Sequence, residues 1–190
     1  MTTKNNYLLD ARVILNRDSL TLDVELQLQH GEVIAVLGPN GAGKTSLLHA
    51  LLGWLELESG WIMVNGEVID SPDTDSYVPP QHRPFGMVFQ DGLLFPHMSV
   101  EKNILFGAGK DFNLKPLAES LQANELLAKF PSELSAGERQ RAAIARSLAA
   151  RPKVLFLDEP FSALDIQGKR RGRSLLKEAL AIGVSLCLIV

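Results

Sequence analysis

Apolar and polar residues alternate without a break from Leu20 to Leu28, where Leu20, Leu22, Val24, Leu26 and Leu28 are set against Thr21, Asp23, Glu25 and Gln27. A period of two predicts a strand with one face buried and the other in water. A strand pair is predicted where Trp61-Ile62-Met63-Val64 runs through Asn65-Gly66 into Glu67-Val68-Ile69, because Asn-Gly takes the positive φ angles of a tight hairpin turn. Together these stretches, about 1–30 and 61–70, predict a β-rich antiparallel layer. A different pattern marks Val33-Ile34-Ala35-Val36-Leu37, Met87-Val88-Phe89 and Val154-Leu155-Phe156-Leu157. Such short, continuous apolar runs predict strands covered on both faces of a parallel sheet, whose ligand sits at the carboxyl ends of the strands. The stretch from Ser71 to Pro84 holds Pro72, Pro79, Pro80 and Pro84 and reads as an irregular surface loop. From about Ser99 to Ala150 helical patterns dominate, broken by Gly107-Ala108-Gly109 and Pro131. The block of about 92–150 is therefore expected to be a helical insertion within one domain, 1–190.

Composition narrows the partners more than the fold. With 190 residues, 46% hydrophobic and 22% charged, the chain suits one well-buried α/β domain. A net charge of -3 and a pI near 5.8 argue against a broad basic face, so no nucleic acid partner is expected. Cys187 is the single cysteine, which excludes an intrachain disulfide or a thiolate metal cluster and fits a reducing compartment. Met1 to Tyr7 lack the apolar core of a secretory signal, and no run of about 18 apolar residues occurs. The expectation is a cytoplasmic chain that does not itself cross a membrane.

Chemistry enters directly after the Val33–Leu37 run, at Gly38-Pro39-Asn40-Gly41-Ala42-Gly43-Lys44-Thr45-Ser46, which leads into a helical stretch ending before Gly53. Small side chains let successive backbone N–H groups converge on phosphate oxygens, and the helix N-terminus adds its partial positive charge. Lys44 reaches the β and γ phosphates of a nucleotide, and Thr45 supplies a hydroxyl for Mg²⁺. A Gly-rich turn without a ligand is the competing reading; the strand before and the helix after favour the phosphate loop. Val154 to Leu157 end in Asp158-Glu159, and neighbouring strand residues point opposite ways. Asp158 is placed to hold Mg²⁺ and Glu159 to polarise the attacking water. An acidic turn before Pro160 is the local alternative. These features define a P-loop NTPase, a class that also holds kinases, GTPases and helicases.

A narrower reading comes from Leu134-Ser135-Ala136-Gly137-Glu138-Arg139-Gln140-Arg141, which resembles the LSGGQ signature of ABC ATPases. Ser135 and Glu138 also make a capping box that opens a helix from Ala136 to Ala150, and both readings can hold at once. Met87-Val88-Phe89-Gln90-Asp91 resembles the Q-loop and Ser162-Ala163-Leu164-Asp165 the D-loop of that family, in the family's order. The segment from Phe89 to Ile104, with Phe95-Pro96-His97, is similar to importer subunits, and Glu138 at the signature's fifth position brings molybdate-type oxyanion importers nearest. The resemblance implies a RecA-like α/β core with an antiparallel β layer and a helical insertion, binding ATP and Mg²⁺. It implies a head-to-tail homodimer in which Lys44, Thr45, Gln90, Asp158 and Glu159 of one chain meet Ser135, Ala136, Gly137 and Glu138 of the other, with Asp165 at the interface. In that family Lys44, Gln90 and Glu159 are catalytic, while Thr45, Gln90 and Asp158 hold the metal. Integral membrane permease subunits, a periplasmic or extracellular solute-binding protein and a peripheral position on the inner membrane face are implied as well. The surface after Gln90 receives a coupling helix in that family; the local alternative makes Leu93, Leu94, Phe95 and Met98 ordinary core residues.

Two departures shape the expectations. Val13-Ile14-Leu15 stands where the family usually carries an aromatic residue against adenine, so base selectivity is expected to be loose. Ser185 to Val190 reads as the strand that leads into the family's switch histidine, and none of His30, His49, His82 or His97 lies in that motif; each is assigned to the surface or to packing. Losing one preorganised donor typically costs about 10² to 10³ in rate, so binding is expected to outlast turnover. The final strand is expected to expose an edge. Rival readings are a nucleotide-binding module without hydrolysis, through truncation at the C-terminus, and a soluble ABC protein of translation or DNA repair.

Overall fold

The computed structural model describes residues 7–17, 20–120, 123–160, 166–181 and 183–189. Its two strand patterns sort into two sheets. β1 (Tyr7–Arg17), β2 (Leu20–Gln29), β4 (Ser59–Val64), β5 (Glu67–Ser71) and β6 (Ser76–Tyr77) form an antiparallel sheet in the order β2-β1-β4-β5-β6. The alternation in β2 sets its register, since Leu22, Val24, Leu26 and Leu28 face Leu15, Val13, Ala11 and Leu9 of β1; a slip of one residue would turn all of them to solvent. Asn65 and Gly66, at φ 52° and 80°, make the tight β4–β5 turn.

β3 (Val33–Val36), β7 (Phe85–Val88), β8 (Val154–Asp158) and β9 (Ser185–Ile189) form a parallel sheet in the order β3-β9-β8-β7. Here two expectations are corrected. β9 does not expose an edge, because it is hydrogen-bonded to β3 on one side and to β8 on the other. The crossover through α5 (Ile166–Ala181) returns the chain to the gap between those strands. Among the described strands the edges fall instead on β3 and β7. With no described strand on its outer side, β3 is not covered like its neighbours: Val33 is 45% exposed and Leu37, just beyond it, 73%. Val154 to Leu157 of β8, by contrast, are fully buried.

Side-chain alternation along β8 divides the interior. Val154 and Phe156 face the antiparallel layer and α1 (Lys44–Leu52), packing with Leu9, Val13, Leu28, Leu48 and Ile62. Leu155 and Leu157 face the other way, onto Ile104 of α2 (Val100–Leu105), Ile144 of α4 (Ala136–Ala149) and Leu176 of α5. α3 (Leu114–Ser120) completes the helical side. The sheet is thus filled on both faces, one by β structure and α1, the other by helices, and the loops at its carboxyl end are left to carry chemistry.

The stretch from Ser71 to Pro84 is more ordered than its prolines suggest. It holds the end of β5, strand β6 and two 3₁₀ turns at Pro72–Thr74 and Pro80–His82, and Arg83 is buried. Prolines fit there because each 3₁₀ turn starts on one, where no backbone N–H is needed. No helix among the described residues is long and apolar enough to cross a membrane.

Candidate nucleotide site

The carboxyl end of β3 opens into the loop 38–43, and Gly43 starts α1 in the left-handed conformation at φ 88°. No side chain caps this helix. Lys44 folds back over the loop, its Nζ donating to the carbonyls of Gly38 at 2.5 Å and Pro39 at 3.2 Å. The loop and the end of β8 close on one cavity of about 240 Å³, lined by Pro39 to Ser46 together with Asp158 and Glu159. A helix end with free N–H groups and a cation is an anion site, and two carboxylates across from it give that anion a place beside a metal.

The donor set fits Mg-ATP. Burial pushes the Asp158 carboxyl above its ordinary range, neighbouring Glu159 adds to this, and His49 and Lys44 work in the opposite direction. A carboxylate held against desolvation and a like charge is one that a divalent cation would stabilise. Glu159 sits at φ 42°, an uncommon conformation for a residue with a side chain and one met at functional sites. His49, which lies in no motif, stands four residues after Thr45 on the same face of α1, and this spacing is the signal that links it to the site.

Gln90 does not line the phosphate-loop cavity. It borders a second cavity of about 270 Å³ with Asp91, Ala136, Arg139, Gln140, Glu159 and Pro160. Glu159 therefore belongs to both spaces and joins Gln90 to the phosphate loop. Phe89, just before Gln90, stacks on Trp54 at 5.8 Å, and Trp54 in turn meets His49 edge-on at 5.2 Å. These aromatic contacts tie the strand that presents Gln90 to the helix that presents Lys44, and the hydrophobic pattern gave no hint of them.

At the start of α4 the capping box is complete. Ser135 Oγ accepts from the N–H of Glu138 at 3.3 Å, and Glu138 Oε2 accepts from the N–H of Ser135 at 2.8 Å. These bonds, together with Lys129 at 3.3 Å, hold the Glu138 carboxyl down to about 2. Gly137 lies in the first turn, beside Ala136. Asp165 lies outside the described residues.

The segment after Gln90 is gripped by two helices. Asn103 of α2, fully buried, accepts from the N–H of Phe95 and donates to the carbonyls of Phe95, Met98 and Ser99. Arg146 of α4 donates to the carbonyls of Gly92 and Leu93 and lies 5.2 Å from the Phe95 ring. The apolar cluster divides. Leu94 packs onto the helical core, whereas Leu93 is 55% exposed and Phe106, 4.7 Å from Phe95, is 64% exposed.

An uncapped phosphate loop at the end of β3, two acids at the end of β8 and a third strand between them define a P-loop NTPase. The family model "ABC transporter" matches residues 21–162, and the chain belongs to that family, a class of ATP-hydrolysing enzymes. It is 40% identical over 173 residues to the molybdenum import ATP-binding protein ModC of Mycobacterium tuberculosis, covering 84% of this chain and 47% of that protein. It is 46% identical over 153 residues to the putrescine transport ATP-binding protein PotG of Escherichia coli, covering 75% and 38%. Against the sulfate/thiosulfate import protein CysA 2 of Agrobacterium fabrum it is 40% identical over 166 residues, covering 82% and 47%. The chain thus spans about half the length of the curated relatives it matches. Among solved structures, cbiO1 of Clostridium perfringens superimposes with a TM-score of 0.81 at 29% identity, over 97% of this chain and 78% of that one. The ADP form of MJ1267, an ABC transporter cassette, shares the fold with a TM-score of 0.83 at 21% identity, over 96% and 80%.

Proposed function

We propose that this chain binds and hydrolyses ATP to power an ABC-type importer of molybdate or a related oxyanion. The observation that carries the ATPase part is the cavity where Pro39 to Ser46 meet Asp158 and Glu159. Backbone N–H groups of the loop and Lys44 hold the phosphates. Thr45, Asp158 and, from the adjoining cavity, Gln90 hold Mg²⁺, which when bound neutralises charge on the transferred phosphoryl group. Glu159, shared between the two cavities, orients and polarises the water that attacks the γ-phosphate. Ser135 and Gly137 of a second copy, with Ala136 and Glu138, close over that phosphate, and Asp165 stands at the interface. Closure of a head-to-tail homodimer is the step that moves the permease.

The oxyanion reading draws on the ModC and CysA relatives, while PotG, at comparable identity, points to polyamines. Exposed Leu93 and Phe106, on a segment fixed by Asn103 and Arg146, supply the surface for a membrane permease that works with an external solute-binding protein. On this reading the subunit works at the inner face of the membrane.

Mg-ATP binding to the native chain and to Lys44→Ala is the test of the site. Loss of binding in the variant is expected, and equal affinity refutes the assignment. Mg-ATP-dependent phosphate release by the native chain, compared with Lys44→Ala, tests turnover. Lys44-dependent release supports the motor; ATP binding without any release refutes hydrolysis.

A further inference from the structure

Arg83 belongs to none of the motifs above, yet its side chain is completely buried. A cation in such a place costs several kcal/mol unless it is paired and hydrogen-bonded, and here every arm of the guanidinium is used. Nη2 pairs with Asp70 of β5, itself nearly buried. Nη1 donates to the carbonyl of Leu51 at 2.8 Å and reaches that of Ala50 at 3.4 Å, both at the end of α1. Nε donates to the carbonyl of Val78 at 2.8 Å. Tyr77 lies under the guanidinium at 5.4 Å and gives its hydroxyl hydrogen to the carbonyl of Gly53 at 2.9 Å. Gly53 turns out of α1 at φ 80°, and a Cβ there would stand 2.6 Å from the guanidinium carbon. The negative end of the α1 dipole and two of its last carbonyls are thus met by one buried cation.

This junction ties three elements together: β5 of the antiparallel layer, the end of α1, and the segment that enters β7. The opposite end of α1 presents Lys44 and Thr45, and β7 runs directly into Phe89 and Gln90. Helix and strand are short and stiff, so fixing their near ends fixes the spacing of their far ends. Apolar residues could fill the same volume at similar stability. They could not replace a planar fork whose donors hold the carboxylate and the helix carbonyls in one geometry.

We infer that Arg83 is a positioning residue, which through Asp70 and the carbonyls of Leu51 and Ala50 sets the distance between Thr45 and Gln90 and thereby the seat of the metal ion. The inference rests on the proposed ATP site. ATP affinity is measured in EDTA and with saturating Mg²⁺ for the native chain, Arg83→Lys and Tyr77→Phe, alongside their unfolding temperatures. Arg83→Lys keeps the charge that Asp70 needs and loses the fork. Its affinity in EDTA should stay within about twofold of native, while the tightening produced by Mg²⁺ falls roughly tenfold, as when partners behind metal ligands are removed. Tyr77→Phe, which deletes only the bond to Gly53, should show a smaller loss in the same direction. An unchanged Mg²⁺ effect in Arg83→Lys overturns the inference, as does an equal drop with and without Mg²⁺, the mark of a purely structural role. If Arg83→Lys does not fold at the assay temperature, the Mg²⁺ effect in Tyr77→Phe decides in the same way. If ATP binding by the native chain does not depend on Lys44, it is the site assignment that has failed.

Discussion

The starts of α1 and α4 are both helix N-termini with a proposed place at the phosphates, and they are built in opposite ways. α1 opens on a left-handed Gly43 with no side-chain cap, so its N–H groups stay available and its lysine leans on neutral carbonyls that a phosphate can displace. α4 opens on Ser135 and already holds an anion of its own, since Glu138 takes the Ser135 N–H and is backed by Lys129. One end is left unsatisfied for a ligand. The other satisfies part of itself, leaving the Ser135 hydroxyl hydrogen and the first-turn N–H groups near Gly137 for a second copy. An open end suits the tight, charge-neutralising grip on a nucleotide; a capped end suits a contact that forms and breaks in each cycle.

Three substitutions test this contrast. The largest effect is expected at the open end, where Lys44→Ala removes a charge-assisted donor and should weaken Mg-ATP binding by roughly 10- to 100-fold in a direct titration. Ser135→Ala comes next. Losing the cap should cost about 1 kcal/mol of stability in a denaturant titration, with Mg-ATP affinity unchanged at concentrations dilute enough to keep the chain monomeric; a matching loss of affinity in the monomer would show that the two ends are not independent. Smallest is Glu138→Gln, which keeps an acceptor and removes a charge. The fold lowers the Glu138 carboxyl from 4.5 to about 2, so its stabilisation is present above pH 4.5 and fades as the pH falls toward 2. The stability gap between native chain and variant should close across that window. A gap of constant size from pH 7 to pH 2 would mean that the charge contributes nothing.

The phosphate loop and the acids at Asp158 and Glu159 were legible in the sequence because their chemistry is local. Successive N–H groups come from successive residues, and a strand followed by a helix brings them together. The capping box was legible for the same reason, since Ser135 and Glu138 are three apart. Asp165 lies outside the described residues, so its placement at an interface stays with the proposal. Other features depend on elements distant in sequence and left no local pattern. His49 near Asp158, Trp54 on Phe89 and the burial of Arg83 among Asp70, Tyr77 and the end of α1 are of this kind.

By itself the sequence marked the half-buried strand from Leu20, the Asn65-Gly66 hairpin, three apolar strands of the parallel sheet, the capped helix from Ala136 and the loop proposed to hold phosphate. Only the tertiary structure decided that β9 lies inside the sheet rather than at its edge, and that among the described strands β3 and β7 are the outer ones. It alone showed that Glu159 borders two cavities, one with the phosphate loop and one with Gln90. Periodicity reports which face of an element is buried, and a parallel sheet admits a strand from anywhere in the chain once a crossover helix delivers it. Strand order, and every contact that follows from it, is therefore set by how the faces pack and not by their spacing along the chain.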